Sequence, residues 1–249
     1  MNNILLENET LTNVNENINL IQKKNGLTFG TDAFLLASFI KQQKNTVAVE
    51  LGGGTGIISL LCASREKFKT IYCTEIQSDF ADIIERNAKL NGLDNRIISL
   101  HTDIRELKSV NIGCEVDAVF SNPPYMKVDS GKRNGHDEKF IARHEVCGDI
   151  SDFCACAKRL LKHGGSFYCV WRPNRLVDLV CAMRENSLEP KEICFVHANT
   201  KSEPSMVLVK AKKGAASSVK ILEPLFLNED DNHKALTERA KKIYEECNF

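Results

Sequence analysis

The sequence predicts an α/β fold with a mostly parallel sheet covered by helices on both faces. Three observations predict it. From residue 46 onward, short apolar runs alternate with segments of helical periodicity. A glycine-rich corner, "ELGGGTG" at 50–56, joins the first of those runs to the first of those helices. The following runs close on hydrogen-bonding side chains: Glu75, Asp103 and Asn122. In an open parallel sheet these positions share the carboxyl edge, where ligands bind.

The elements follow in order. Residues 1–17, rich in Asn and Glu, read as a loosely ordered lead-in, and "INLIQKK" (18–24) as a short strand. "GTDAFLLASFI" (30–40) starts on Thr-Asp and continues with apolar residues at helical spacing, which predicts a capped helix. "TVAVELG" is a buried strand, "TGIISLLCASRE" an apolar helix and "TIYCTEI" a second strand. "SDFADIIERNAKLNG" is amphipathic and closes on Asn91-Gly92. "RIISLHTD" and "EVDAVFSN" are further strands. The polar stretch 127–149 is long enough for a functional loop. "DISDFCACAKRLLKHGG" predicts a helix ending in its glycines, and "SFYCVWR" a strand. A helix at "NRLVDLVCAMRENS", strands near "EICFVHA" and "MVLVKAKK" and a helix at 232–247 complete the chain. One compact domain accounts for all of it, with residues 1–45 as an N-terminal extension and 46–249 as the main body.

Composition narrows the function. Lys+Arg and Asp+Glu are both 33, so a nucleic-acid partner has to be met by local basic patches. The ten cysteines include no C-x-x-C pair, which argues against zinc, and Cys154 and Cys156 are expected on different helix faces. The N-terminus shows no export signal, and the apolar runs are too short to span a bilayer. Reduced thiols in a cytoplasmic protein are therefore expected, without metal.

Gly52, Gly54 and Gly56 allow a tight turn and close approach to a ligand. Glu75, about 20 residues on, stands where an acid takes ribose hydroxyls. Glu50 sits in the corner, where it would repel a phosphate and suit an ammonium. S-adenosylmethionine, an adenosine with an amino-acid tail, is favoured over NAD on that ground. "SNPPYM" (121–126) follows the fourth core strand. Asn122 offers a carbonyl acceptor, and Pro123, without an N–H, offers its backbone carbonyl. Pro123 and Pro124 stiffen the pair, and Tyr125 supplies a flat surface. Two rigid acceptors can hold both hydrogens of a planar amine with its lone pair directed at a methyl sulfonium. Positioning and charge placement then do the work of a strong base.

These motifs resemble the class I S-adenosylmethionine-dependent amino-methyltransferases and, within them, the bacterial tRNA1(Val) adenine-37 N6-methyltransferases. The resemblance includes "GLTFGTDAFLLASF", "ELGGGTGIISLLCA", "TEIQSDFADIIERNAKLNGLDNRI", "AVFSNPPYMK", "ARHE" (142–145), "LLKHGGSFYCVWRPNRLVDL" and "LEPKEI", and it runs from about 18 to about 226. It implies a Rossmann-like, seven-stranded class I domain. It also implies cofactor contacts at Thr31, Asp32, Glu50, Gly52, Gly54, Gly56, Glu75, Ile76, Asp103, Ile104 and Asn122. Asn122, Pro123, Pro124 and Tyr125 become the target-amine site. The implied partner is the anticodon stem-loop of a valine tRNA, and a monomer is expected. Gly53 departs from the family's commoner polar residue.

Arg143, His144 and Glu145 read as a salt-bridged latch in preference to a base or metal site. Trp171 reads as core or rim packing. Basic residues cluster at Lys158, Arg159, Lys162, Arg172 and Arg175, at Lys210, Lys212 and Lys213, and at Lys132 and Arg133. The sequence leaves open whether they converge. A glutamine N5-methyltransferase uses "NPPY" equally well, but about 45 residues before the first core strand leave little room for its helical N-terminal domain. A DNA adenine methyltransferase and a non-catalytic RNA-binding module are the remaining alternatives.

Overall fold

The computed structural model describes residues 5–24, 30–124, 148–230 and 235–249. Two strands, β1 (Glu9–Asn15) and β2 (Ile18–Lys23), form an antiparallel hairpin ahead of helix α1 (Thr31–Phe39). The main body then alternates: β3 (Val47–Leu51), α2 (Ile57–Ser64), β4 (Thr70–Glu75), α3 (Ser78–Leu90), β5 (Ile97–His101), the single-turn α4 (Ser109–Ile112) and β6 (Val116–Ser121). Next come α5 (Ile150–Leu160), β7 (Leu161–Trp171), α6 (Leu176–Glu185), β8 (Leu188–His197), β9 (Pro204–Lys213) and α7 (Glu238–Glu246).

The sheet order is β8-β9-β7-β6-β3-β4-β5, with only β9 antiparallel to its neighbours. Two-residue strands β10 (Lys220–Ile221) and β11 (Leu225–Phe226) add to the outer edge of β8. The expected seven strands are therefore present, with two short additions. Alternate residues along each strand enter opposite cores, as the period of two requires. Ala48, Ile71, Phe120 and Val170 join α1, α2, α3 and α7 in one layer. Val49, Val119, Phe167 and Cys169 join α5 and α6 in the other. Such a sheet is buried on both faces, which explains why its strands read as unbroken apolar runs.

Three local expectations need correction. The lead-in carries a strand, because Glu9–Asn15 can pair with Ile18–Lys23 across a two-residue turn. The helix at 150 ends at Leu160, and its glycines lie in β7: Leu161 is already extended, and the register with β6 shifts between Val116 and Ala118. Cys154 and Cys156 both reach the second core, because α5 buries a stripe wide enough for both.

The N-terminal segment is built into the main body by buried polar groups. The Asn87 side chain, fully buried on α3, accepts from Ile21 N at 2.7 Å and donates to Ile21 O at 3.1 Å and to Thr55 O at 2.9 Å. It thus ties the hairpin to the glycine corner. Glu9 is buried against Arg86 of α3, and the guanidinium holds its carboxyl below the usual carboxylate range. Lys67, 6% exposed, donates to Ala37 O (2.7 Å), Ser38 O (3.2 Å) and Ile40 O (2.6 Å). One ammonium therefore satisfies the carbonyls that the end of α1 leaves open, at the negative pole of that helix. Replacing Lys67 by Met keeps the stem and removes these bonds. The expected cost is about 2–4 kcal/mol in urea unfolding, and an unchanged midpoint and slope would refute this account of how α1 ends.

Candidate active site

The parallel strands bring their carboxyl ends into one row. Leu51 is in register with Thr74 and Ser121, and Glu75 with His101. The row β5-β4-β3-β6 spans three interstrand steps, roughly 14 Å. Along it lie Asp103 and Ile104 just past β5, Glu75 and Ile76 at the end of β4, the glycine corner after β3, and Asn122 and Pro123 after β6. Ser121 Oγ donates to Leu51 O at 2.7 Å, which joins the last two strand ends.

The corner owes its shape to three left-handed glycines: Gly52 (φ 69°), Gly54 (φ 57°) and Gly56 (φ 79°). A Cβ on Gly54 would meet nothing within 4 Å, so that side of the turn faces open space. Gly53 serves packing instead, since a Cβ there would stand 2.2 Å from Cys73 Sγ. Glu75, 5% exposed, accepts from Gly54 N at 3.0 Å through Oε2 and from Ile76 N and Gln77 N through Oε1. A carboxylate oxygen has two acceptor directions, so Oε2 keeps one for a ligand hydroxyl. Asp103 is held by Arg105, which donates from Nε at 2.9 Å to Oδ2 and keeps the carboxyl below its usual range. Ile104 is buried and Ile76 half-buried, and they add apolar surface beside the two acids.

The Glu50 side chain is 1% exposed. Oε2 accepts from Ser59 N at 3.0 Å, from the Ser59 hydroxyl and from Cys73 Sγ at 3.3 Å. The first residue before α2 is Gly56, which offers no side-chain cap. Glu50 supplies that missing cap from a strand. Burial pushes its carboxyl up from 4.5 to about 7.

Thr31 and Asp32 open α1. The helix has no side-chain cap on Gly30, contrary to the Thr-Asp reading. Asp32 Oδ1 accepts from Ala33 N at 3.0 Å, while Oδ2 accepts from Asn122 Nδ2 at 2.7 Å. The family resemblance implies both residues at the cofactor and gives no sign of this contact across 90 positions. Pro123 is buried and Pro124 half-buried. Tyr125, Lys132, Arg133, Arg143, His144 and Glu145 lie outside the described residues. Trp171 is 1% exposed and packs in the core, with Nε1 donating to Arg175 O at 2.9 Å.

The remaining basic groups do not share an edge. Arg172 and Arg175 follow β7 at the carboxyl edge. Lys212 lies opposite Ser166, five residues below Trp171 and so about 16 Å from that edge. Lys162 pairs with Asp117 at 2.9 Å near the amino ends of β6 and β7, and Lys210 pairs with Glu192 at 3.1 Å. Among the described residues no cluster of His, Cys, Asp or Glu could hold a metal, and no helix is long and apolar enough to cross a membrane.

A seven-stranded sheet of this order with one reversed strand, and a glycine corner and acids along its carboxyl edge, defines the class I methyltransferase fold. Solved structures agree on the fold. A predicted O-methyltransferase from Agrobacterium tumefaciens superposes with a TM-score of 0.71 at 22% identity, covering 88% of this chain and 97% of that one. TYW2 of M. jannaschii, solved with AdoMet, gives 0.55 at 16% identity, covering 84% and 88%. In sequence, the methyltransferase small domain family matches residues 23–186. A tRNA1(Val) (adenine(37)-N6)-methyltransferase of Phocaeicola vulgatus is 30% identical over 183 residues, 74% of this chain and 76% of its own length. One from Flavobacterium johnsoniae is 25% identical, covering 81% and 85%. The chain belongs to the methyltransferase small domain family and, within it, to the tRNA1(Val) (adenine(37)-N6)-methyltransferases.

Two outcomes follow from the corner. Folded Glu50 keeps its proton between pH 4.5 and about 7, whereas the unfolded chain releases it, so this group lowers stability as pH rises through that window. Glu50→Gln should remove that slope, worth roughly 3 kcal/mol across the window; parallel stability–pH curves for the two proteins would contradict it. Gly53→Ala should destabilise by about 1–3 kcal/mol, with Cys73→Ala in the same chain restoring most of the loss in thermal melts.

Proposed function

We propose that this chain is an S-adenosylmethionine-dependent tRNA methyltransferase acting on N6 of an adenine, at position 37 in the anticodon loop of a valine tRNA. Relatives carrying that name at 23–30% identity over about three quarters of the chain support the tRNA substrate. The observation that carries the chemistry is Asn122 followed by buried Pro123 at the end of β6, one strand from the glycine corner. In this reading Asn122 Oδ1 and the Pro123 carbonyl accept the two hydrogens of the adenine amine, and the prolines keep that pair rigid. In the same reading Pro124 adds stiffness, and the Tyr125 of the motif is the flat side chain on which the base would stack.

The donor set fits the cofactor. Glu75 would hold a ribose hydroxyl, Asp103 an adenine amine, and Ile76 and Ile104 would flank the ring. Gly52, Gly54 and Gly56 let the backbone approach closely, and Thr31 lies toward the amino-acid end. When bound, the cofactor supplies a methyl group activated on a sulfonium. Glu50 acts from below, by fixing the corner. The anticodon-loop base is already partly unstacked, so presenting it costs less than flipping a base from a duplex.

Arg172 and Arg175 stand on the edge where an RNA backbone would pass, and they suit phosphate contact. We assign the enzyme to the cytoplasm as a metal-free monomer. Seven of the nine described cysteines are buried as free thiols, and burial pushes Cys154 and Cys156 up to about 12, which makes them inert packing groups.

The test supplies radiolabelled cofactor with unmodified tRNA and, in parallel, with a peptide-release factor. Label recovered as N6-methyladenosine at position 37 of valine tRNA supports the assignment. Label in the release factor would replace it with glutamine methylation. Asn122→Ala should lower turnover by at least about 10²-fold while cofactor affinity, read by calorimetry, stays within about threefold.

A further inference from the structure

An asparagine amide has two ends of nearly equal size and opposite character: an oxygen that accepts and an NH2 that donates. Catalysis of the proposed kind needs the oxygen end of Asn122 toward the target amine. The reversed amide would set donor against donor. Its orientation is fixed by whatever the other end touches. Here that partner is Asp32, whose Oδ2 accepts from Asn122 Nδ2 at 2.7 Å. An ionised carboxylate only accepts, so it selects the NH2 end and turns Oδ1 to the opposite side. The bond is charge-assisted, and it polarises the amide so that Oδ1 becomes the stronger acceptor.

The carboxylate is itself held in place. Its other oxygen accepts from Ala33 N at 3.0 Å. Gly30 leaves it room, since a Cβ there would stand 2.9 Å from Oδ1. The helix that carries it is pinned at its far end by Lys67. Along its side, the Phe34 ring lies 5.4 Å from that of Tyr244. Helix α7 thus braces α1.

We infer that Asp32 is a positioning residue for methyl transfer, acting through Asn122 by fixing the side-chain amide with its oxygen toward the target amine. The inference rests on the amino-methyltransferase reading of Asn122. It departs from the sequence-based expectation that Asp32 serves the cofactor.

The two roles separate experimentally. Asp32→Ala should lower kcat by about 10²-fold, with the KM for tRNA and the Kd for S-adenosylmethionine each within about threefold. Asp32→Asn, whose amide oxygen still accepts, should keep kcat within about tenfold. Asn122→Asp sets two carboxylates together and should be nearly inactive. Combining it with Asp32→Asn restores the same bond with donor and acceptor exchanged, and should recover at least about tenfold. A Kd for the cofactor raised more than about tenfold, with kcat intact at saturation, would overturn the inference in favour of a cofactor contact. An exchange variant no better than Asn122→Asp would also overturn it. NMR of the cofactor-free protein gives an independent readout. The Asn122 NH2 signals, assigned by their loss in Asn122→Asp, should be protected from solvent exchange in the wild type and lose protection in Asp32→Ala. Unchanged protection would refute the orienting bond. Failure of the wild type to modify tRNA would refute the substrate assignment while leaving the NMR result to decide the role of Asp32.

Discussion

The carboxylate of Glu50 fixes the corner around which the rest of the site is arranged. It is buried under the turn, and it closes the open end of α2 through Ser59. The turn above it consists of left-handed glycines, which have no side chains with which to hold themselves. Its shape therefore comes from below, through Glu50 and through the fit of Gly53 against Cys73. It comes also from the side, where Glu75 accepts from Gly54. An anion at a helix N-terminus is favourable, but burial opposes its charge, and the upward-shifted carboxyl reflects that balance.

The N-terminal residues belong to the same mechanical unit. Asn87 joins the hairpin to Thr55 in the corner, and Lys67 ends α1 from the far side. Helix α1 in turn delivers Asp32 to Asn122. Two strand-end loops and one helix start thus meet through a few buried or half-buried polar groups that hydrogen-bond across the fold. Removing one such partner strands the other in a dry environment, so the site and the stability of the fold share residues.

Charge is distributed differently from what the sequence invites. Clusters that sit close in the chain separate in space because β9 runs against its neighbours. Its lysines end near the amino edge of the sheet, while Arg172 and Arg175 remain at the carboxyl edge. Lys162 and Lys210 are ion-paired away from the site.

The sequence by itself determined the sheet with its alternating helices, the glycine corner at the first strand–helix joint, and the acids at strand ends. These properties are local: periodicity, glycine conformation and position along a strand are carried by neighbouring residues. The tertiary structure alone decided that Glu50 caps α2 through Ser59, that Glu9–Asn15 pairs as a strand, that Lys67 closes α1, and that Asp32 grips Asn122. Each of those depends on groups tens of residues apart being brought within hydrogen-bond reach. A side chain's partner across such a distance is set by how helices dock on the sheet, and no local pattern encodes it.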